Sequence, residues 1–134
     1  MKESAGLVII YNNTILLAHP TGQGWYGTYS IPKGHVEEGE DYLTAALRET
    51  YEELGISFNK AEINPNSEGY INYIDENGNL YKRVYFYIIE LKEPLKVYKS
   101  QLQNEEIDWA GFLTKKEAEK RIFWRFKTLL SFLK

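Results

Sequence analysis

The chain has 134 residues, 43% of them apolar, so it can bury one core and is too apolar to remain disordered. It has no cysteine, which excludes disulfides, a thiol nucleophile and thiolate metal sites. The net charge is −3 and the lysines are interspersed among acids, so no face resembles a surface for duplex nucleic acid.

In chain order, AGLVIIY and TILLAHP read as β-strands separated by Asn12-Asn13, a pair that tolerates the left-handed conformation of a tight hairpin turn. TGQGWYGTY is a Gly-rich loop, and SIPKG follows as a short strand and turn. Asp41 to Leu54 reads as a helix, because Leu43, Ala46, Leu47, Thr50 and Leu54 form a narrow stripe at helical period and Gly55 is placed to end it. EGYINYI and LYKRVYFYIIEL are strands joined around Asn77-Gly78, and IDWAGFL is another. KKEAEKRI and FWRFKTLLSFLK read as closing helices. With no linker or repeat, residues 1–134 form a single domain, an α/β or α+β sandwich. The N-terminal apolar run is too short for a signal peptide, and no run of about 20 apolar residues exists, so the expectation is a soluble cytoplasmic protein without membrane contact.

The segment GHVEEGEDYLTAALRETYEELGI, Gly34 to Ile56, concentrates seven carboxylates around one arginine, Arg48. Glu37, Glu38, Glu40 and Asp41 lie before or at the helix N-terminus, where the helix dipole favours negative charge. Glu49, Glu52 and Glu53 are related by i+3 and i+4, which places them on one helix face, in an arc of roughly 100° beside the apolar stripe. An acidic helix face is ordinarily just solvated, and Arg48 can pair with Glu52 at i+4. Three converging carboxylates also suit a hard divalent cation, Mg²⁺ or Mn²⁺. Gly34 permits a sharp turn and close backbone approach, so its carbonyl is a further candidate ligand. Lys33 and His35 flank it and can meet phosphate oxygens.

The spacing is more specific than the helix alone. Gly34, Glu40, then Arg48-Glu49-Thr50-x-Glu52-Glu53-x-Gly55-Ile56 resembles the Nudix box: G, five residues, E, seven residues, then R-E-U-x-E-E-x-G-U, where U is bulky and aliphatic. All seven fixed letters are present, a coincidence of order one in 10⁸ per start position at ordinary Gly, Glu and Arg frequencies. The one departure is Thr50 at a U position, where a β-branched side chain can still pack.

The resemblance implies a Nudix-type α/β/α sandwich with a mixed sheet. It also implies metal-dependent hydrolysis of a nucleoside diphosphate linked to another group. By it, Glu49, Glu52 and Glu53 form the metal site with the Gly34 carbonyl, and Arg48 orients a box glutamate. The likeness extends to the asymmetric diadenosine tetraphosphate hydrolases through SAGLVIIY, the P-K-G-H-V-E-x-G-E run and YKRVYFYIIEL, where Lys33 and Lys82 match phosphate-contacting lysines. Phe86 stands where that branch has a tyrosine, with Tyr85 and Tyr87 on either side and directed to the opposite face. EEIDWAGFLTKKEA resembles a later family segment whose glutamate joins the metal site or acts as base, matched best by Glu106, with Glu105 as its rival. The general base is thus Glu49, Glu53 or Glu106. Lys33, His35, Lys82, Tyr85 and Tyr87 are the expected substrate contacts, and Trp25, Tyr70 and Tyr73 are further aromatics able to stack a base. His19, Trp124 and Phe126 read as structural. The implied partner is a small phosphate anhydride, best a dinucleoside polyphosphate. Alternatives are a nucleoside triphosphate, a diphosphoinositol phosphate, an RNA 5′ end, or a non-catalytic nucleotide sensor.

Overall fold

The computed structural model describes residues 1–134. Lys2–Tyr11 form β1 and Thr14–Pro20 form β2; Asn12 and Asn13 between them both take positive φ, 47° and 59°, the mirror-image turn that suits strand twist. Lys33–His35 form β3, and Tyr42–Leu54 form α1. Gly69–Ile74 and Leu80–Leu91 form the β4–β5 hairpin, Ile107–Leu113 form β6, and Lys115–Arg121 form α2.

The sheet order is β4-β5-β1-β2-β6, with β3 paired to β1. It is mixed: β5 runs parallel to β1 from Lys2↔Lys82 to Tyr11↔Leu91, and the other pairings are antiparallel. The second edge of β1 is divided between two partners. Its Ser4–Gly6 end pairs with β3, whereas Ile10 and Tyr11 pair with β2. The segment before β3 fills the gap, with the Leu7 amide donating to the Pro32 carbonyl at 3.1 Å and the Ala18 amide to the Ser30 carbonyl at 2.8 Å. The sheet therefore splays between β1 and β2, and side chains from both of its faces meet there.

Period-two alternation builds the two layers. Ala5, Leu7 and Ile9 of β1 pack with Leu43, Ala46 and Leu54 of α1. Val8 and Ile10 face the opposite way, onto Phe126, Leu129 and Leu130. The result is the expected sandwich of helical layers on a mixed sheet. No helix is long and apolar enough to cross a membrane.

Three details differ from the sequence reading. The buried face of α1 is wider than the stripe, since Ala45 and Glu53 are buried while Leu47 is only partly so. A helix lying flat on a sheet covers more of its circumference than a narrow seam. The closing segment Trp124–Phe132 is a 3₁₀ helix, although Phe126, Leu129 and Leu130 still face the core. Trp124 does not pack in that core; it is 62% exposed, with the Arg125 guanidinium 4.3 Å from its ring centre.

Candidate active site

The helix α1 is set at both ends. The Asp41 side chain accepts from the Thr44 amide at 2.7 Å, and Gly55 closes the C-terminus at φ 70°. The last two turns then carry Glu49, Glu52 and Glu53 to one rim of the sheet split. They are not equivalent. Glu53 is only 9% exposed and accepts from the Lys33 amide at 3.1 Å, Glu49 is partly buried, and the Glu52 side chain is 53% exposed.

Arg48 ties this face together. Its guanidinium grips Glu40 through two hydrogen bonds of 2.8 and 3.0 Å, and donates to Glu49 at 2.8 Å and to Glu52 at 3.2 Å. It also donates to the His35 carbonyl at 2.9 Å, which anchors the β3–α1 loop. Glu40 is therefore more than a charge near a helix dipole. It is the bidentate partner of Arg48, and those bonds hold its carboxyl below the usual carboxylate range. The resemblance has Arg48 orient a box glutamate without saying which one, because two residues eight apart across a helix cap are related by no periodicity.

Gly34 is required for close approach rather than for a turn. It sits inside β3 opposite Ala5, and a Cβ there would lie 2.1 Å from the Glu49 carboxyl carbon. The lack of a side chain lets the β3 backbone and the Glu49 carboxylate come together.

The electrostatics of the cluster are those of uncompensated acids. Burial pushes the Glu53 carboxyl up to about 8; the Lys33 amide and ammonium oppose this, and the charges of Glu49 and Glu106 add to it. Glu49 is also raised, first by burial, against the pull of Arg48. Lys33 is held below the ordinary lysine value by burial, with Glu53 and Glu49 opposing. Lys82 is lowered too, first by burial and then by Lys33 and Lys2.

A cleft of about 310 Å³ opens at the split. Lys33, Glu53 and Glu106 supply its charged lining, and Tyr73, Phe123 and Phe126 form an aromatic wall. Lys82 borders that wall, its ammonium 5.1 Å from the Tyr73 ring centre. Thus the fold gathers Lys33, Lys82, Glu49, Glu53 and Glu106 from three separate elements and the loop before β6. Glu106 lines the cleft and Glu105 does not.

Other expected contacts are elsewhere. His35 is exposed, and Tyr85 and Tyr87 are not brought to the cleft. They sit on the α1 face of β5: Tyr85 stacks on Tyr42 at 3.7 Å between ring centres, and Tyr87 is buried with its hydroxyl on Glu68. Strand alternation sends them there, because Val84 and Phe86 take the other face. Tyr70 is exposed beneath the Arg83 guanidinium. Phe123 and Phe126 line the cleft although the sequence marked neither as part of a site; an apolar residue on a short closing helix carries no signal that separates wall from core.

His19 is structural, as expected, and shapes the rim. It is buried, with Nδ1 2.5 Å from Asp108 Oδ1 and Nε2 within 3.0–3.1 Å of the Gln23 and Gly24 carbonyls. Thr21 adds bonds to the Glu106 and Asn104 carbonyls at 2.9 and 2.8 Å. Together these stitch the Gly-rich loop to the segment that bears Glu106.

The oxygen-rich donor set suits a hard divalent cation, and the raised Glu53 carboxyl is what a buried acidic cluster has when its charge is unbalanced. No three acids converge into a ready cage, since Arg48 holds Glu49 and Glu52 while Glu53 turns to the Lys33 amide.

The NUDIX domain profile matches residues 1–131. The chain belongs to the Nudix family. Its similarity to individual Nudix proteins is modest. It is 32% identical over 83 residues to the mouse bis(5′-nucleosyl)-tetraphosphatase [asymmetrical], covering 62% of this chain and 55% of that protein. It is 37% identical over 71 residues to the RNA pyrophosphohydrolase of Caulobacter vibrioides, covering 46% of this chain and 40% of that protein. The chain thus spans about half the length of these relatives or less. Among solved structures, a C. elegans Ap4A hydrolase in a binary complex superposes with a TM-score of 0.76 at 26% identity, covering 98% of this chain and 93% of that one. A MutT Nudix hydrolase from Burkholderia pseudomallei shares the fold with a TM-score of 0.72 at 20% identity, over 97% and 95% of the two chains.

Proposed function

We propose that this Nudix chain hydrolyses a pyrophosphate bond in a dinucleoside polyphosphate, best diadenosine tetraphosphate, with a divalent metal. The observation that carries this is the meeting of Glu53, Glu49 and Glu106 with Lys33 at the cleft in the sheet split. The similarity to asymmetric tetraphosphatases supports the substrate class.

Glu49, Glu52, Glu53 and the Gly34 carbonyl would hold Mg²⁺ or Mn²⁺, which supplies charge neutralisation and a bound water of lowered pKa. The chain's own residues divide the remaining work. Lys33 and Lys82 bind the bridging phosphates, where cations stabilise charge that develops on phosphoryl oxygens. Arg48 positions Glu49 and, through Glu40, the β3–α1 loop. Phe123, half-buried in front of the buried Tyr73 and Phe126 rings, offers apolar surface to one base. Glu49, Glu53 and Glu106 are the groups able to accept the proton of the attacking water, and Glu106, exposed at the rim, is the one least engaged by other residues of the chain. Likeness to RNA pyrophosphohydrolases supports a second reading, in which the anhydride is a triphosphorylated RNA 5′ end.

A hydrolysis panel with Mg²⁺ tests both. It contains diadenosine tetraphosphate, nucleoside triphosphates, ADP-ribose, a diphosphoinositol phosphate and a 5′-triphosphorylated oligoribonucleotide, with products separated by chromatography. ATP plus AMP from the tetraphosphate, lost in Glu53→Gln, supports the proposal. Pyrophosphate release from the RNA alone replaces the substrate. Absence of metal-dependent turnover in the folded protein refutes the enzymatic reading and favours a nucleotide sensor.

A further inference from the structure

A second aromatic pocket lies on the other side of the paired 28–29 and 121–123 segments that border the cleft. Thr28 and Phe123 line the cleft, whereas Tyr29 and Arg121, one and two residues away along the chain, line a separate pocket of about 350 Å³ with Trp25, Trp109, Leu113 and Glu117. The Thr28 and Tyr29 amides both donate to the Arg121 carbonyl, at 2.9 and 2.8 Å, so a firm backbone seam separates the two.

The aromatic rings of this pocket are built into place, not loosely exposed. Trp25 lies parallel to the buried His19 imidazole, 3.6 Å between ring centres and 4° between planes, yet remains 48% exposed. One face of the indole is therefore covered and the other is open. Trp109 is 37% exposed and lies over Gly111, where a Cβ would come within 2.7 Å of the indole ring. Tyr29 stands between them, 6.1 Å from Trp25 and 5.8 Å from Trp109.

The charge at the mouth is net positive, three cations against the Glu117 carboxylate. Arg121 lies between the rings of Tyr26 and Tyr29, at 5.5 and 5.6 Å, and donates weakly to the Trp25 carbonyl and the Tyr29 hydroxyl. Lys116 and Lys120 join it around an adjoining hollow with the exposed Tyr26. None of the three cations forms an ion pair with a carboxylate. Glu117 also lines the pocket, but its carboxylate accepts from the Thr114 amide at 2.9 Å in the cap of α2.

We propose that this pocket is a second nucleotide-binding site, separate from the hydrolytic cleft. A base stacks on the open face of Trp25 against Trp109, and its phosphate meets Arg121 and Lys120. A flat π-surface held rigid from behind, next to cations that form no ion pair, is the chemistry that base-plus-phosphate ligands select. The site needs no metal and does not depend on the hydrolytic reading. Its ligand is either a free nucleotide or one nucleotide of a single strand.

The test uses tryptophan emission in the Trp124→Phe protein, whose remaining indoles both lie in this pocket. The full chain is titrated in EDTA with AMP and with a 5′-phosphorylated hexaadenylate. Saturable quenching is expected, with Arg121→Glu raising the apparent Kd at least tenfold and Gly111→Val, which displaces Trp109, doing the same. Hexaadenylate bound tenfold tighter than AMP identifies a strand; equal affinities identify a free nucleotide. Circular dichroism confirms that the variants fold, and Lys120→Glu substitutes for Arg121→Glu if that one does not. No saturable quenching, or quenching unaltered by every one of these substitutions, overturns the proposal. Because EDTA removes the metal, these outcomes are independent of whether the cleft hydrolyses any anhydride.

Discussion

Replacing Glu53 by Gln in the metal-free protein tests the charge logic of the site without an activity assay. Below about pH 4.5 the residue is protonated in both the folded and unfolded chain. Between that value and about 8 the folded chain keeps a proton that the unfolded chain has released, so stability falls as pH rises across this window. Above it the loss is complete. At 1.36 kcal/mol per pH unit, the ceiling on that loss is roughly 5 kcal/mol. Water entry and rotation of the carboxylate relieve part of it, so about 2 kcal/mol is expected. Glu53→Gln removes the titration and can still accept from the Lys33 amide. Urea denaturation in EDTA should therefore find the variant more stable than the parent by about 2 kcal/mol near pH 9, the advantage shrinking toward zero near pH 5. Saturating Mg²⁺ should remove the advantage at pH 9 by stabilising the parent alone. A variant less stable than the parent at pH 9, or a difference that does not change with pH, would refute the reasoning.

Other substitutions probe the surrounding geometry. Gly34→Ala places a methyl group against the Glu49 carboxylate, and a fall in kcat of at least about 100-fold is expected with the unfolding midpoint little changed, measured by steady-state hydrolysis and thermal denaturation. Arg48→Lys keeps the charge but cannot reproduce the fork to Glu40; denaturant titration should register a loss of about 1–3 kcal/mol, and hydrolysis should fall with it. His19→Ala releases the Gly-rich loop from Asp108 and opens a cavity behind Trp25, with an expected cost of about 2–4 kcal/mol by the same titration and a blue or red shift of indole emission. Lys33→Ala should raise KM for the anhydride about tenfold or more, whereas Tyr85→Phe should leave KM within about twofold, since only the first side chain lines the cleft.

The acids of α1 were legible because a helix fixes the relation of residues three and four apart without help from the rest of the chain. Spacing alone places Glu49, Glu52 and Glu53 on one face and Asp41 and Gly55 at the ends, and the structure keeps all of these. The Asn12-Asn13 turn was legible for the same local reason, as was the alternation that sets Tyr85 and Tyr87 apart from Phe86. Which face of β5 looks onto the cleft was not. That depends on β1 dividing its edge between β3 and β2, and on Phe123 and Phe126 returning from the far end of the chain to wall the gap. Glu106 over Glu105, Glu40 as the partner of Arg48, and the His19–Asp108 stitch are likewise long-range outcomes. Local spacing determines which groups share an element. Only the closed sheet, by bringing strands distant in sequence within hydrogen-bonding reach, decides which elements share a site.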